Sequence, residues 1–120
     1  MLQYNKHNIT NSDIRSVVKT LKSDYLTKGP KVLEFEKNLK NYFGSKYCLT
    51  ISNATCALLM ISKLLKLNKK DIVILSPLTF ISGANSASFF GAKTLFVDIN
   101  EYDQNIDCLK LEKILKNKNI

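Results

Sequence analysis

Hydrophobic positions along the chain change their period on either side of residue 45. Between Thr10 and Lys22, Ile14, Val17, Val18 and Leu21 recur at helical spacing, which predicts an amphipathic helix over about 10–22. Thr10, with Asp13 three residues later, offers it a start like a capping box. The stretch Asp24-Tyr25-Leu26-Thr27-Lys28-Gly29-Pro30 interrupts the pattern, and Pro30 opens a second helix because the first turn does not use its missing N–H. Val32, Phe35, Leu39 and Phe43 predict one apolar face of that helix, and Gly44 its end.

Beyond Gly44 short apolar runs alternate with helical patterns. Strands are expected at about 46–51, 71–75 and 93–98, with helices at about 54–67 and, ended by Gly91, at about 79–90. A loop with Asp103 and Asn105 then leads to a helix from about Cys108 to Lys116. This alternation predicts an α/β fold of parallel-strand βαβ units preceded by two helices. Ile72-Val73-Ile74-Leu75 and Thr94-Leu95-Phe96-Val97 are unbroken apolar runs, as in strands buried on both faces. The expected organisation is a helical segment over 1–45 and the start of an α/β domain over 46–120, left incomplete because three strands make a small parallel sheet.

Composition narrows the function classes. The formal charge of +8 rests on 18 basic residues, all lysines except Arg15, spread along the chain among 10 acidic ones. Without an arginine-rich strip or interleaved aromatics, this argues for a solvated surface and against nucleic acid as a partner. No apolar run is long enough to span a bilayer, and the amino end lacks the layout of a secretion signal, so no membrane partner is expected and the cytoplasm is the expected compartment. Cys48, Cys56 and Cys108 are widely spaced and His7 is the only histidine, so no metal site, disulfide framework or histidine-based triad is expected.

Candidate chemistry lies where strands end, because ligands of open α/β sheets bind beyond the carboxyl ends of the strands. Ser52-Asn53-Ala54-Thr55-Cys56 follows the first expected strand, Ser76-Pro77-Leu78-Thr79-Phe80 the second, and Asp98-Ile99-Asn100 the third. Ala54, Thr55 and Cys56 open a helix whose first N–H groups lack intrahelical partners, an arrangement that suits a phosphate, with Thr55 adding a hydroxyl. An ordinary N-cap at Ser52 or Asn53 is the alternative reading of the same residues. Phe80 reads either as core packing or as a ring platform for a flat ligand.

These segments, taken in order with Phe35-Glu36, Gly44, Gly91-Ala92 and Phe96-Val97-Asp98-Ile99, resemble the amino-terminal third of the nucleotide-sugar aminotransferases of the DegT/DnrJ/EryC1/StrS family. The resemblance covers nearly the whole chain. It implies the amino-terminal part of the large domain of the aspartate-aminotransferase-like (type I) fold, with pyridoxal 5'-phosphate as cofactor. Tyr4, Ser23-Asp24-Tyr25-Leu26-Thr27, the Ser-Pro-x-Thr-Phe block and Asn105-Ile106-Asp107 resemble most the branch that makes the 4-amino sugar precursor of pseudaminic acid.

By that resemblance Ala54, Thr55 and Cys56 bind the cofactor phosphate, Phe80 stacks on the pyridine ring, and Tyr4, Asp24, Tyr25, Leu26 and Thr27 face the sugar nucleotide. The implied reaction moves an amino group from glutamate to the C4 ketone of a UDP-linked 4-keto-6-deoxy amino sugar, in a homodimer when full length. The family's Schiff-base lysine and its pyridine-binding aspartate belong downstream of these segments, so no catalytic residue is expected in this chain. A non-catalytic truncated remnant and a sister enzyme with a different nucleotide sugar are the alternatives. The sequence departs from the family at Asn53-Ala54-Thr55, where Ser-Gly-Thr is usual, and at Lys28, where glutamine is common; the second departure bears on substrate choice.

Overall fold

A computed structural model describes residues 6–117 and divides the chain into two compact units, the first ending at Thr50 and the second beginning at Ile51. The expectation placed on Tyr4 lies outside the described residues.

The first unit carries helices α1 (Asn11–Leu21) and α2 (Pro30–Phe43). Thr10 and Asp13 form the expected capping box: the Thr10 hydroxyl accepts from the Asp13 N–H at 3.3 Å, and the Asp13 carboxylate accepts from the Thr10 N–H at 2.7 Å. Pro30 begins α2, and Gly44 ends it in the left-handed region at φ 62°, where a side chain would be strained. Gly29, the N-cap of α2, is buried, and a Cβ there would approach the Tyr25 Cβ to 2.8 Å. Only glycine lets the 24–28 turn fold back this closely.

The strand expected at 46–51 does not form. A strand needs a ladder partner, and among the described residues none runs beside this segment; Tyr47, 79% exposed, shows how little covers it. Glu36 takes up one of its backbone groups instead. Its carboxylate accepts from the Thr50 N–H at 2.7 Å and from the Thr50 hydroxyl at 2.8 Å, tying the middle of α2 to the end of the unit. Both bonds favour the ionised acid and hold the Glu36 carboxyl below its ordinary value of 4.5. A depressed folded value means that the tie stabilises the unit above pH 4.5 and is lost as pH falls through the lower folded value. In a carboxyl titration by NMR, Glu36 is expected to titrate below 4.5 together with the Thr50 amide. Glu36→Gln is expected to remove that step; a Thr50 amide indifferent to pH in the parent chain would refute the tie.

The second unit contains α3 (Ala54–Leu64), β1 (Ile72–Leu75), α4 (Ser82–Phe89), β2 (Lys93–Phe96) and α5 (Cys108–Lys116). β1 and β2 pair in parallel with Ile72 opposite Lys93 and Leu75 opposite Phe96, and α4 is the crossover between them. The pairing is prolonged at both ends, by Lys93 N–H to the Asp71 carbonyl at 3.0 Å and Val97 N–H to the Leu75 carbonyl at 2.9 Å. α4 packs on both strands and α3 packs on α4. The buried positions are small: Ser62 on α3, Ser82, Ser86 and Ala87 on α4, then Ala92 and Val97. Small side chains let the helices and strands approach closely, and Gly83 carries this furthest, since a Cβ there would lie 3.4 Å from the Leu75 side chain.

The strands are half-buried rather than covered on both faces, with Phe96 52% exposed. Among the described elements α4 is the helix packed on both strands, which covers one layer of a sheet whose composition suits two. α3 stops at Leu64, short of 67, because Lys66 adopts φ 57° and turns the chain so that the Leu67 N–H reaches the Ser62 carbonyl at 3.1 Å. α4 begins at Ser82 and not at 79, since the Ser76 hydroxyl accepts the Leu78 N–H at 3.2 Å and holds the preceding residues in a turn.

Candidate functional site

The amino end of α3 is built by Asn53. With extended backbone at φ −167°, its side chain accepts the Cys56 N–H at 2.9 Å, and its carbonyl accepts the Ala57 N–H at 3.3 Å. The second is the first regular bond of the helix, so the side chain assigns one of its orphan donors, the Cys56 N–H. The N–H groups of Ala54 and Thr55 and the Thr55 hydroxyl have no partner among the described residues. No acidic side chain stands in the first turn, and Ala54 and Thr55 are exposed. Two open N–H groups and a hydroxyl at the positive end of a helix suit an anion of phosphate type. The N-cap forms as read, and it leaves the Ala54 and Thr55 N–H groups open, so the cap does not use up the donors that the anion reading needs. Cys56 contributes less than its neighbours: its N–H is occupied, and its half-buried sulfur accepts from the Ser52 hydroxyl at 3.4 Å.

Phe80 follows β1 and is 75% exposed, so among the described residues nothing packs over its ring. Within the same stretch the carboxyl end of β1 opens on a cleft of about 360 Å³, walled on one side by Ser76, Leu78 and Thr79 and on the other by Gln104, Asn105 and Ile106. The second wall is held by a compact loop. Ile99 and Ile106 form an antiparallel bridge, the Asn100 N–H donates to the Asn105 carbonyl at 2.8 Å, and the Gln104 N–H donates to the Asn100 carbonyl at 3.0 Å. Asp98, at the end of the β2 segment, is part of this fastening: its carboxylate lies 2.8 Å from the Lys110 Nζ and accepts the Ile99 N–H at 2.9 Å. The Lys110 ammonium holds the Asp98 carboxyl below its ordinary value. Asp107 caps α5 by accepting from the Leu109 and Lys110 N–H groups.

Sequence reasoning marked the Asp98 end of this region and passed over Gln104. The available signal was the density of turn-forming side chains, Asn100, Asp103 and Asn105, ahead of an Asp107 cap. Asp24, Tyr25, Leu26 and Thr27 lie in the first unit and are exposed, while Ala54, Thr55, Cys56 and Phe80 lie in the second.

A match to the DegT/DnrJ/EryC1/StrS aminotransferase family runs over residues 7–119. The chain belongs to this family. A relative from Campylobacter jejuni, UDP-4-amino-4,6-dideoxy-N-acetyl-beta-L-altrosamine transaminase, is 45% identical over 117 residues, which are 97% of this chain and 31% of the relative. Among solved structures, Helicobacter pylori PseC, an aminotransferase involved in the biosynthesis of pseudoaminic acid, is similar with a TM-score of 0.81 and 31% identity over 93% of this chain and 30% of that one. Spr1654 from Streptococcus pneumoniae in its PLP-form is similar with a TM-score of 0.79 and 32% identity, over 88% of this chain and 27% of that one. The chain spans less than a third of the length of these family members. Its α/β architecture with a parallel sheet is that of the amino-terminal part of the type I aminotransferase fold.

Proposed function

We propose that this chain belongs to a nucleotide-sugar aminotransferase and supplies the part of it that grips pyridoxal 5'-phosphate and meets the substrate. The observation that carries the reading is the amino end of α3, where Ala54 and Thr55 offer two unpartnered N–H groups and Thr55 a hydroxyl. The same donor set fits the cofactor's phosphate, with no carboxylate in the first turn to oppose it. When bound, pyridoxal phosphate supplies the electron sink for amino transfer.

The chain's own residues bind and orient. Ala54 and Thr55 hold the phosphate, and Cys56 allows close approach because it is small. Phe80 offers an open aromatic face to the pyridine ring. Tyr4, Asp24, Tyr25, Leu26 and Thr27 face the sugar nucleotide. The reaction moves an amino group from glutamate to C4 of a UDP-linked 4-keto-6-deoxy amino sugar of the pseudaminic acid pathway, in a cytoplasmic homodimer. Support for this substrate is the similarity to the altrosamine transaminase and to PseC. No residue of this chain is assigned the proton-moving lysine or the aspartate at the pyridine nitrogen.

Reading the coding DNA beyond the Ile120 codon, expressing the whole open frame and following amino transfer from glutamate to the UDP-linked ketone by mass spectrometry tests the proposal. Conversion that requires pyridoxal phosphate is the expected outcome for the whole frame, and none for the 120 residues alone. Turnover by the 120-residue chain would overturn the division of labour, and a complete frame that leaves the ketone untouched would overturn the substrate.

A further inference from the structure

The cleft at the carboxyl end of β1 is used by neither the phosphate nor the ring assignment. From its chemistry we infer that it is a subsite for an uncharged, hydrogen-bonding group, the acetamido-bearing ring of an amino-sugar nucleotide. This deepens the function proposed above and rests on it. No charged residue lines the cleft among the described residues, so a phosphate or carboxylate would lose its hydration there without a counter-charge. Its polar groups are neutral and available. The carboxamides of Gln104 and Asn105 have no partner among the described residues, and each offers both donors and an acceptor. The Ser76 hydroxyl accepts from the Leu78 N–H and keeps its own proton to donate, and the Thr79 hydroxyl is open. Leu78 and Ile106 add apolar surface suited to an acetyl methyl. A few convergent neutral polar groups on an aliphatic floor are what orients an amide and hydroxyls together.

The far wall is preformed. The bridge between Ile99 and Ile106, the two backbone bonds to Asn100 and Asn105, and the Lys110–Asp98 ion pair fasten both ends of the loop. Gln104 sits at φ 59°, a conformation that glycine or asparagine adopts at lower cost. The position keeps a long carboxamide at the rim at the expense of stability.

Saturation-transfer NMR on the purified full chain with UDP-N-acetylglucosamine, and with UDP-glucose as the acetamide-free control, tests the assignment. The acetyl methyl is expected to receive saturation, Asn105→Leu to reduce it at least fivefold, and Asn105→Gln to restore part of it. The substituted side chain makes none of the backbone bonds that shape the loop. Should Asn105→Leu lose amide dispersion, Thr79→Val reads the same cleft from the other wall. An acetyl methyl that receives nothing, or that is saturated equally in Asn105→Leu, overturns the subsite. Acetyl contact in this chain, with a whole open frame that transfers no amino group, would overturn the proposed reaction and leave the subsite standing; amino transfer by the whole frame without acetyl contact would do the reverse.

Discussion

Ala54→Glu is expected to lower affinity for pyridoxal phosphate by about 100-fold while leaving the fold intact or slightly more stable. Ala54 is the first residue of α3 and is exposed, so a longer side chain meets no packing there. A carboxylate in the first turn of a helix is favourable to the helix, by about 0.3–1 kcal/mol, since it faces the positive end of the macrodipole. On the proposed reading that place belongs to the phosphate. The substitution sets two like charges against the same donors, and the loss of charge-assisted bonds together with repulsion amounts to about 2–4 kcal/mol. Stability and binding are thus driven in opposite directions by one change, which separates the phosphate role from a purely structural cap. A titration followed by cofactor absorbance, paired with a thermal melt, reads both. If Ala54→Glu binds the cofactor as the parent does, the amino end of α3 is a cap and nothing more. Asn53→Ala provides the contrasting case: it removes the bond to the Cys56 N–H and is expected to cost about 1 kcal/mol of stability, while freeing a third donor for the anion.

The parts of this fold that were legible in the sequence are those written locally. Thr10 and Asp13 are three residues apart, Pro30 and Gly44 act at the ends of their own helix, and Asp107 bonds the two residues that follow Cys108. The start of α3, on which the phosphate candidate rests, belongs to the same class, because a helix start with small residues is a property of five consecutive positions. What was not legible depends on partners distant in sequence. The apolar run at 46–51 has the composition of a strand, but composition cannot supply the neighbour that a ladder requires. Glu36 and Thr50 are 14 residues apart, and nothing in either position marks them as partners. Burial departs from residue type in a different way: Ser62, Ser82 and Ser86 are polar, yet they are buried because close helix packing selects for size before polarity. In Ile14, Val17, Leu21 and Phe43 the converse holds, since their periodicity forms helices without burying the stripe. The second wall of the β1 cleft was hidden for the first reason, as the Ile99–Ile106 bridge and the Lys110–Asp98 pair decide where Gln104 stands.

Val97→Asp is expected to unfold the second unit while sparing the first. Val97 is 1% exposed, the largest fully buried side chain among the described residues, and it extends the β1–β2 pairing through its N–H to the Leu75 carbonyl. The other buried positions are serines and alanines, so the interior has little apolar surface in reserve. A carboxyl in that place has no partner, and the penalty is about 4 kcal/mol or more, a large share of the 5–15 kcal/mol that holds a typical domain. In urea, the transition reported by the β1 and β2 amides should move to lower denaturant or vanish. The Glu36–Thr50 tie, which lies wholly in the first unit, serves as the internal control. Burial raises the pKa of the introduced carboxyl above its unfolded value near 4, so the damage should be least below about pH 4 and grow as pH rises through the folded value. A variant as stable as the parent at neutral pH would mean that Val97 is not the centre of this core. One destabilised equally at pH 3 and pH 7 would point to lost volume rather than buried charge, a distinction that Val97→Ala, expected to cost about 1–3 kcal/mol independently of pH, makes directly.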